Sequence, residues 1–461
     1  MTQTAPAAAP VAANEPGMDT ARLFRASSPG EDVLGRVITL DDAVEIALAN
    51  VPDIAARLND YAAARYRFKE ALTPLLPQIT ATVGTQKTAS TTVVTARSRF
   101  LNFGPPFLAV GPPIAPTGTR STVATDSSAG FNNNLLAQTS LSQLLFDFGK
   151  TSAAADSAKK LADVALLDVE NQRQLAVLAV REAYTNMLLA ERLVRVNLDA
   201  LQRAQLNLRA ANRLADGGIR PKADIARSEI DVANGEIGLV SATGSQGLAR
   251  AALNVALGID VRAETRITDN LSDEPVHLDR NALLADALGR RPEYLQAKLQ
   301  VQSNEAIERL AVRQFFPNIS AIGTYGGSQL ELNKNYAVGM SMSWTIFDGG
   351  NMILKVKEAH AITESSRALV KASELSVTQD VQQAVVSVEE SHARIASAKR
   401  AVKAGEANYR FSIGRFRAGL AAVIDVTDAQ SQLTSAQATL AQALSDFRIA
   451  LYRLDRAVGR R

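Results

Sequence analysis

The chain switches between two hydrophobic periods, and the order of the switches is the same in both halves. From Thr39, the apolar positions Val44, Ala47 and Leu48 recur at helical spacing, and Asp41 and Asp42 suit the first turn of a helix. Pro52 is expected to break that helix, which resumes to about Leu72, where Pro74 and Pro77 end it. The period then falls to two. Ile79, Ala81 and Val83 alternate with Gln78, Thr80 and Thr82, predicting a strand over about 78–87. A second strand, about 134–147, sets Leu135, Ala137, Thr139 and Leu141 against Gln138, Ser140 and Ser142. Between them, residues from about Lys87 to Asn134 are rich in Thr, Gly and Pro and read as a long loop. From Lys150 to about Asp216 there is neither proline nor glycine, and a helix of that length reaches roughly 100 Å. Gly217-Gly218 stops it, Pro221 suits the first turn of the next helix, and that helix continues to Gly258.

The second half follows the same plan. A helix is expected from about Ala282, with a break at Pro292 and a continuation to Gln314. Strands follow at about 318–329 and 336–347, then a long helix from about Met352 to Ala418, and after Gly419 a last helix to Gly459. In the long helix Val381, Val388, Ile395, Val402, Tyr409 and Phe416 fall at intervals of seven, with Val385 and His392 between them, which predicts a left-handed coiled-coil seam. Val51-Pro52-Asp53 and Leu76-Pro77-Gln78-Ile79 recur as Arg291-Pro292-Glu293 and Phe316-Pro317-Asn318-Ile319, 240 residues later. Phe146-Asp147, Gly218, Asp224 and Gly258 recur as Phe347-Asp348, Gly419, Asp425 and Gly459, offset by 201; the 39-residue difference is the long first-half loop. One spacing held over so many elements predicts duplicated helix-strand-strand-helix halves. The domain plan is a disordered leader at 1–37, a first repeat at 38–258, a linker at 259–281 that is polar and irregular, and a second repeat at 282–459.

The strands set the environment. In the fourth, Tyr336, Val338, Met340, Met342, Trp344 and Ile346 share one face, and Gly339, Ser341, Ser343 and Thr345 the other. A half-buried strand of a soluble sheet gives the same alternation. Each strand, however, has about the ten residues that a tilted strand needs to cross a bilayer, and the chain supplies no second sheet to pack against. The first six are therefore candidate membrane-facing residues. Four strands cannot close a barrel, and lipid does not tolerate open edges. The strands must then be shared between chains; three protomers supply twelve, although strand number alone also allows a dimer.

Composition narrows the chemistry. The formal net charge of the 461 residues is only +3, and no basic stripe with interleaved aromatics marks a nucleic-acid surface. Cysteine is absent, so disulfides, thiolate metal sites, a cysteine nucleophile and a lipid-modified N-terminal cysteine are excluded. His277, His360 and His392 lack metal-ligand spacing, no nucleophile–base pair is suggested, and neither a cofactor nor an enzymatic activity is expected. No apolar run is long enough for a membrane-spanning helix. The leader lacks the basic n-region and leucine-rich h-region of a secretory signal, which favours a soluble protein; an exported one would need an in-frame signal upstream of Met1.

The ordered chain resembles the TolC family of outer-membrane efflux and secretion channels, from about residue 38 to 459. The resemblance rests on Ile38-Thr39-Leu40-Asp41-Asp42-Ala43-Val44-Glu45-Ile46-Ala47-Leu48, Leu76-Pro77-Gln78-Ile79, Ile346-Phe347-Asp348-Gly349-Gly350 and Ala418-Gly419-Leu420-Ala421-Ala422-Val423-Ile424-Asp425-Val426-Thr427-Asp428-Ala429-Gln430. It implies a mainly α fold with a small transmembrane β part, as a homotrimer whose twelve-stranded β-barrel in the outer membrane joins a twelve-helix α-barrel across the periplasm. Residues 259–281 would be its equatorial linker. It implies an exit duct of a tripartite efflux or type I secretion system, working with a periplasmic adaptor protein and an inner-membrane pump in a Gram-negative bacterium. Gly218, Ile219, Gly419 and Leu420 would be adaptor-docking tips, and Asp425, Asp428 and the first-half equivalent Asp224 a gate that constricts the duct. Asp425 and Asp428 lie at i and i+3 near a helix start, where threefold symmetry stacks them as negative rings and where they also complement the helix dipole. This chain departs from the family's gate: Ala421 stands where a basic residue is usual and Phe416 where a tyrosine is, with Arg220 and Arg415 the basic side chains nearby. The alternative is a soluble coiled-coil scaffold whose strands form an ordinary sheet.

Overall fold

The computed structural model describes residues 37–89, 131–268, 278–328 and 335–460. The leader, His277 and the long loop from residue 90 to 130 lie outside the described residues. In chain order the elements are β1 (Val37–Ile38), α1 (Leu40–Asn50), α2 (Pro52–Glu70), β2 (Gln78–Ala89), β3 (Phe131–Phe146), α3 (Lys150–Asp216), α4 (Ala223–Leu257), β4 (Arg266–Ile267), α5 (Arg280–Arg290), α6 (Pro292–Arg313), β5 (Asn318–Ser328), β6 (Asn335–Ser343), α7 (Asn351–Arg417) and α8 (Val423–Ala457). A single 3-10 turn, Thr73–Leu75, sits between α2 and β2. The long helices α3 and α7 each have 67 residues, α4 and α8 each 35, and α1 and α5 each 11.

These residues group into a helical unit and a sheet unit. In the helical unit, local chemistry sets the ends of the short helices twice over. Thr39 Oγ1 accepts the Asp42 N–H at 3.3 Å while Asp42 Oδ2 accepts the Thr39 N–H at 3.2 Å, a reciprocal cap of α1. Asp279 accepts the Asn281 and Ala282 N–H groups and caps α5 in the same place 240 residues later. Val51 and Arg291, each before a proline, are extended, so α1 and α5 stop where expected. Gly258 and Gly459 end α4 and α8 with φ of +70° and +78°. A Cβ on either would sit 3.0 Å from backbone atoms of Asn50 or Arg290, so these two glycines allow a close approach as well as a left-handed turn.

The seam on α7 is buried as the heptads predict: Val381, Val385, Val388 and Ile395 pack with Leu283, Ala287 and Tyr294 from α5 and α6 and with Phe447 and Leu454 from α8. His392 is exposed beside Phe447, with ring centroids 5.4 Å apart, rather than enclosed in the seam. A second cluster joins Ile38, Ala43, Ala47, Val180, Tyr184, Leu188, Leu253 and Leu257.

The expected irregular linker at 259–281 is partly ordered, and the end of the leader takes part in it. β1 pairs in parallel with β4, Val37 opposite Arg266 and Ile38 opposite Ile267. Buried Tyr184 from α3 pins this pair: its hydroxyl lies 2.8 Å from the Thr268 carbonyl and 3.1 Å from the Ile38 carbonyl, and accepts the Thr268 N–H. Asn254, fully buried, donates to the carbonyls of Val261 and Ala263 at 3.0 and 2.9 Å and accepts from the Thr265 hydroxyl at 2.5 Å. A satisfied polar side chain thus does for the linker what an apolar core does elsewhere. Asn254→Ala should cost about 3 kcal/mol by orphaning these groups. The expected readings are a lowered thermal midpoint of the helical signal and tryptic cleavage at Arg262 and Arg266; an unchanged midpoint and an uncut linker would contradict the role given to Asn254.

In the sheet unit the four strands form one antiparallel sheet in the order β2-β3-β5-β6. The register gathers one parity of every strand onto the same face. Ile79 opposes Leu141, Leu141 opposes Gly323 and Gly323 opposes Val338; Tyr325 opposes Tyr336, Ala321 Met340 and Ile319 Met342. The other face carries Gln78, Thr80, Thr82, Gln138, Ser140, Ser142, Ser320, Thr324 and Ser341, with Leu144, Ile322 and Ala337 among its apolar exceptions. The apolar face is uncovered among the described residues: Ile79 is 72% exposed, Met340 72% and Val338 87%. The soluble expectation, one face packed on a core, is not what this sheet does.

Strand β6 stops at Ser343, four residues before the expected end at 347, so Trp344 and Ile346 are not strand residues, though both are exposed. The pairing partner gives the reason. Ser343 pairs with Asn318, the first residue of β5, and the residue before it is Pro317, which has no N–H to donate. Trp344 turns its indole Nε1 to the Phe315 carbonyl instead, at 3.0 Å. After the sheet, Asp147 accepts the N–H groups of Gly149 and Thr151, and Asp348 that of Met352, so the aspartate of the repeated Phe-Asp pair caps a long helix in both places, directly after the strand in the first and after four intervening residues in the second.

Candidate functional site

The two turns between long helices hold every candidate gate and tip residue. Both are built alike. At the end of α3, the Gly218 N–H bonds the Ala215 carbonyl and the Ile219 N–H reaches back to Leu214; at the end of α7, Gly419 bonds Phe416 and Leu420 reaches back to Arg415. This bond across six residues requires a left-handed residue at the turn, and Gly218 and Gly419 supply it with φ of +70° and +76°. The residue after each glycine, Ile219 or Leu420, projects into solvent as an exposed apolar side chain. Such a side chain ordinarily folds back on its helix, and here both turns leave it exposed.

Below the turns, three helices close around a small core. Ala211 of α3, Ile413 and Phe416 of α7, and Val423 and Val426 of α8 are buried together, with Leu214 and Tyr409 packed against them. Phe416 is fully buried, as an aromatic ring without a hydroxyl can be. A polar ladder continues the contact. Tyr409 donates to Asn207 Oδ1 at 3.2 Å, Asn207 Nδ2 to Gln430 Oε1 at 2.7 Å, and Gln430 Nε2 to the Ala200 carbonyl at 3.0 Å. Burial pushes the Tyr409 phenol above its ordinary pKa, which keeps it a donor. Thr427 donates to Asp231 Oδ2 at 2.7 Å, tying α8 to α4.

The three candidate gate carboxylates occupy different surroundings. Asp425 and Asp428 are both exposed on the first turns of α8. Asp425 Oδ2 also accepts the Ala422 N–H at 3.3 Å, so it caps its own helix as well as facing outward. Asp224 is half-buried at the start of α4, with its Oδ2 enclosed and unbonded. Ala421, where a basic residue was expected from the family, is buried, and the basic group comes from the other turn: Arg220 donates to the carbonyls of Gly419 and Ala421. Arg415 stays on its own turn, 3.4 Å from the Leu420 carbonyl. The sequence offered two basic candidates and no means of choosing, because a bond to backbone carbonyls needs no partner residue type. Asn207 went unnoticed and Gln430 entered only as the end of the family motif; the available signal was a pair of amides among positions otherwise filled by apolar residues. Among the described residues there is no cluster of His, Asp and Glu fit to hold a metal ion.

The fold is similar to those of solved outer-membrane proteins. Over 91% of this chain and 96% of the other, it superposes on the outer membrane protein VceC from Vibrio cholerae with a TM-score of 0.72 at 18% identity. The Campylobacter jejuni CmeC outer membrane channel gives a TM-score of 0.74 at 14% identity, over 91% of this chain and 85% of that one. In sequence, the chain is 25% identical over 319 residues to the cobalt-zinc-cadmium resistance protein CzcC of Cupriavidus metallidurans, covering 68% of this chain and 74% of that protein. It is 24% identical over 324 residues to Nodulation protein T of Rhizobium leguminosarum bv. viciae, covering 67% of this chain and 65% of that protein, just under two thirds of its length. The family model described as outer membrane efflux protein matches residues 43–259 and 283–460, two stretches separated by the linker that β4 and Asn254 order. The chain therefore belongs to the outer membrane efflux protein family of TolC-like outer-membrane channels.

Proposed function

We propose that the chain is the outer-membrane exit duct of a tripartite efflux or type I secretion assembly, a passive channel gated at its helical tips. Family membership makes it a transport protein of the outer membrane rather than an enzyme. The observation that carries the duct is the sheet: one uncovered apolar face, one small polar face and two unpaired edges, β2 and β6. Lipid accepts the first, water the second, and the edges require neighbouring copies. Three protomers close a twelve-stranded barrel, and the paired lengths of α3 with α7 and α4 with α8 suit six near-equivalent helix-pair staves of an α-barrel. The duplicated halves, 38–258 and 282–459, are then two staves of one protomer, joined at the equator by 259–281.

At the tips, Gly218, Ile219, Gly419 and Leu420 form the docking surface for a periplasmic adaptor, which links the duct to an inner-membrane pump. Asp425 and Asp428 form rings of carboxylates at the constriction, with Asp224 beside them. Tyr336, Val338, Met340 and Met342 face lipid, with Trp344 and Ile346 just beyond the strand. The test is reconstitution of the purified protein in planar bilayers. Discrete conductance steps from an oligomer are expected, and a monomer soluble without detergent that gives no conductance would refute the duct.

A further inference from the structure

The first turn sends one side chain across to the second. Arg220 Nη2 donates to the carbonyl of Gly419 at 3.3 Å and to that of Ala421, and its guanidinium lies over the Phe416 ring, 5.7 Å from the centroid. The acceptors suit a cation: they follow the C-terminus of α7, where backbone carbonyls carry partial negative charge. Ala421 and Ala422 are small enough to leave them open. Yet the arrangement leaves two groups unsatisfied. Arg220 Nε is buried with no acceptor, and Asp224 Oδ2, four residues along the same turn, is buried with no donor. Buried polar atoms of opposite charge that have lost water and gained no partner, as Arg220 Nε and Asp224 Oδ2 have, are costly. A bond between them would be charge-assisted, stronger than one to a neutral carbonyl. Against that exchange stand the stacking on Phe416 and the closed core beneath it.

We propose that Arg220 is a two-position clasp. In one position it holds the second turn to the first through the Gly419 and Ala421 carbonyls; in the other it pairs with Asp224 and frees the helix pair that carries Asp425 and Asp428. Such a group, with two exclusive sets of acceptors, gives a packed interface two discrete arrangements instead of a continuum. The clasp deepens the channel reading and rests on it for its consequence. It places in one protomer, on the opposite turn, the restraint that Ala421 cannot supply.

The test compares the full chain with R220A, R220K, D224N and R220A/D224N, by single-channel recording and by amide hydrogen exchange at residues 415–425. R220A should raise open probability by about tenfold, the factor carried by one hydrogen bond from a charged donor, and should speed exchange at Leu420 and Ala422. R220K should restore part of the closure, because an ammonium reaches a carbonyl but does not stack as a plane. D224N removes the second acceptor and should do the opposite of R220A, lowering open probability and slowing exchange, while the double variant follows R220A. If D224N and R220A shift both readings the same way, the exchange is wrong. If R220A leaves exchange at 415–425 unchanged, the clasp is wrong whatever the conductance. Wild-type protein without conductance but with R220A-accelerated exchange would sink the duct and keep the clasp. Should R220A fail to assemble, R220K and D224N still decide by the opposite signs of their shifts.

Discussion

Replacing Asp425 and Asp428 together by asparagine should reduce the cation-over-anion permeability ratio by about tenfold, read as a reversal potential moving towards zero in a salt gradient. Both side chains are exposed, one helical turn apart on α8, and nothing in their own protomer neutralises them among the hydrogen bonds and ion pairs described. In the proposed trimeric duct they would gather about the threefold axis as six carboxylates in two layers, and a narrow, weakly hydrated passage magnifies such charge. Asparagine keeps the shape and still offers an oxygen to the Ala422 N–H, so the capping role of Asp425 is largely preserved. Thermal stability should therefore change by less than ~1 kcal/mol. The two readings separate the roles: a loss of stability with unchanged selectivity would leave Asp425 a helix cap and remove both residues from the constriction.

Val338→Arg is expected to prevent stable insertion, at a cost of about 2–4 kcal/mol per protomer if the residue faces the bilayer midplane. Val338 is 87% exposed and lies opposite Gly323, in the middle of the apolar face. Ser341→Arg, on the same strand but the opposite face, is the matched control: in the proposed duct it would face water, so the oligomer should form and only its conductance change. Yields of folded oligomer in bilayers and urea midpoints measure both. Equal tolerance of the two arginines would mean that both faces meet water and that the sheet is not a membrane sheet.

How far these elements could be read in advance depended on the range of the interactions that set them. The helix breaks at Pro52 and Pro292, the glycine turns at Gly218 and Gly419, and the start of α3 at Lys150 stood where proline, glycine and aspartate put them, because each is set within about one turn of chain. The alternation through Tyr336, Val338, Met340 and Met342 likewise foretold one apolar face. It could not tell where β6 ends. The period of two runs on through Trp344 and Ile346, while the pairing stops because β5 begins at Asn318 and Pro317 has no donor. A two-residue strand such as β4 has no period to detect, so 259–281 read as irregular although Asn254 and Tyr184 hold part of it fixed.

At the tips the division is sharpest. Spacing was sufficient for two equivalent turns and for the recurrence of Asp224 as Asp425, while the interest of Asp428 and of Ala421 came from the family resemblance. Neither could say that Arg220 crosses to the carbonyls of Gly419 and Ala421, or that Tyr409, Asn207 and Gln430 form one ladder across three helices. Periodicity reports which face of an element avoids water, a property of neighbours along the chain. The partners of these side chains lie some two hundred residues away, and a backbone carbonyl, the acceptor Arg220 uses, is present at every position of every sequence. Only the packed helices select which one it meets.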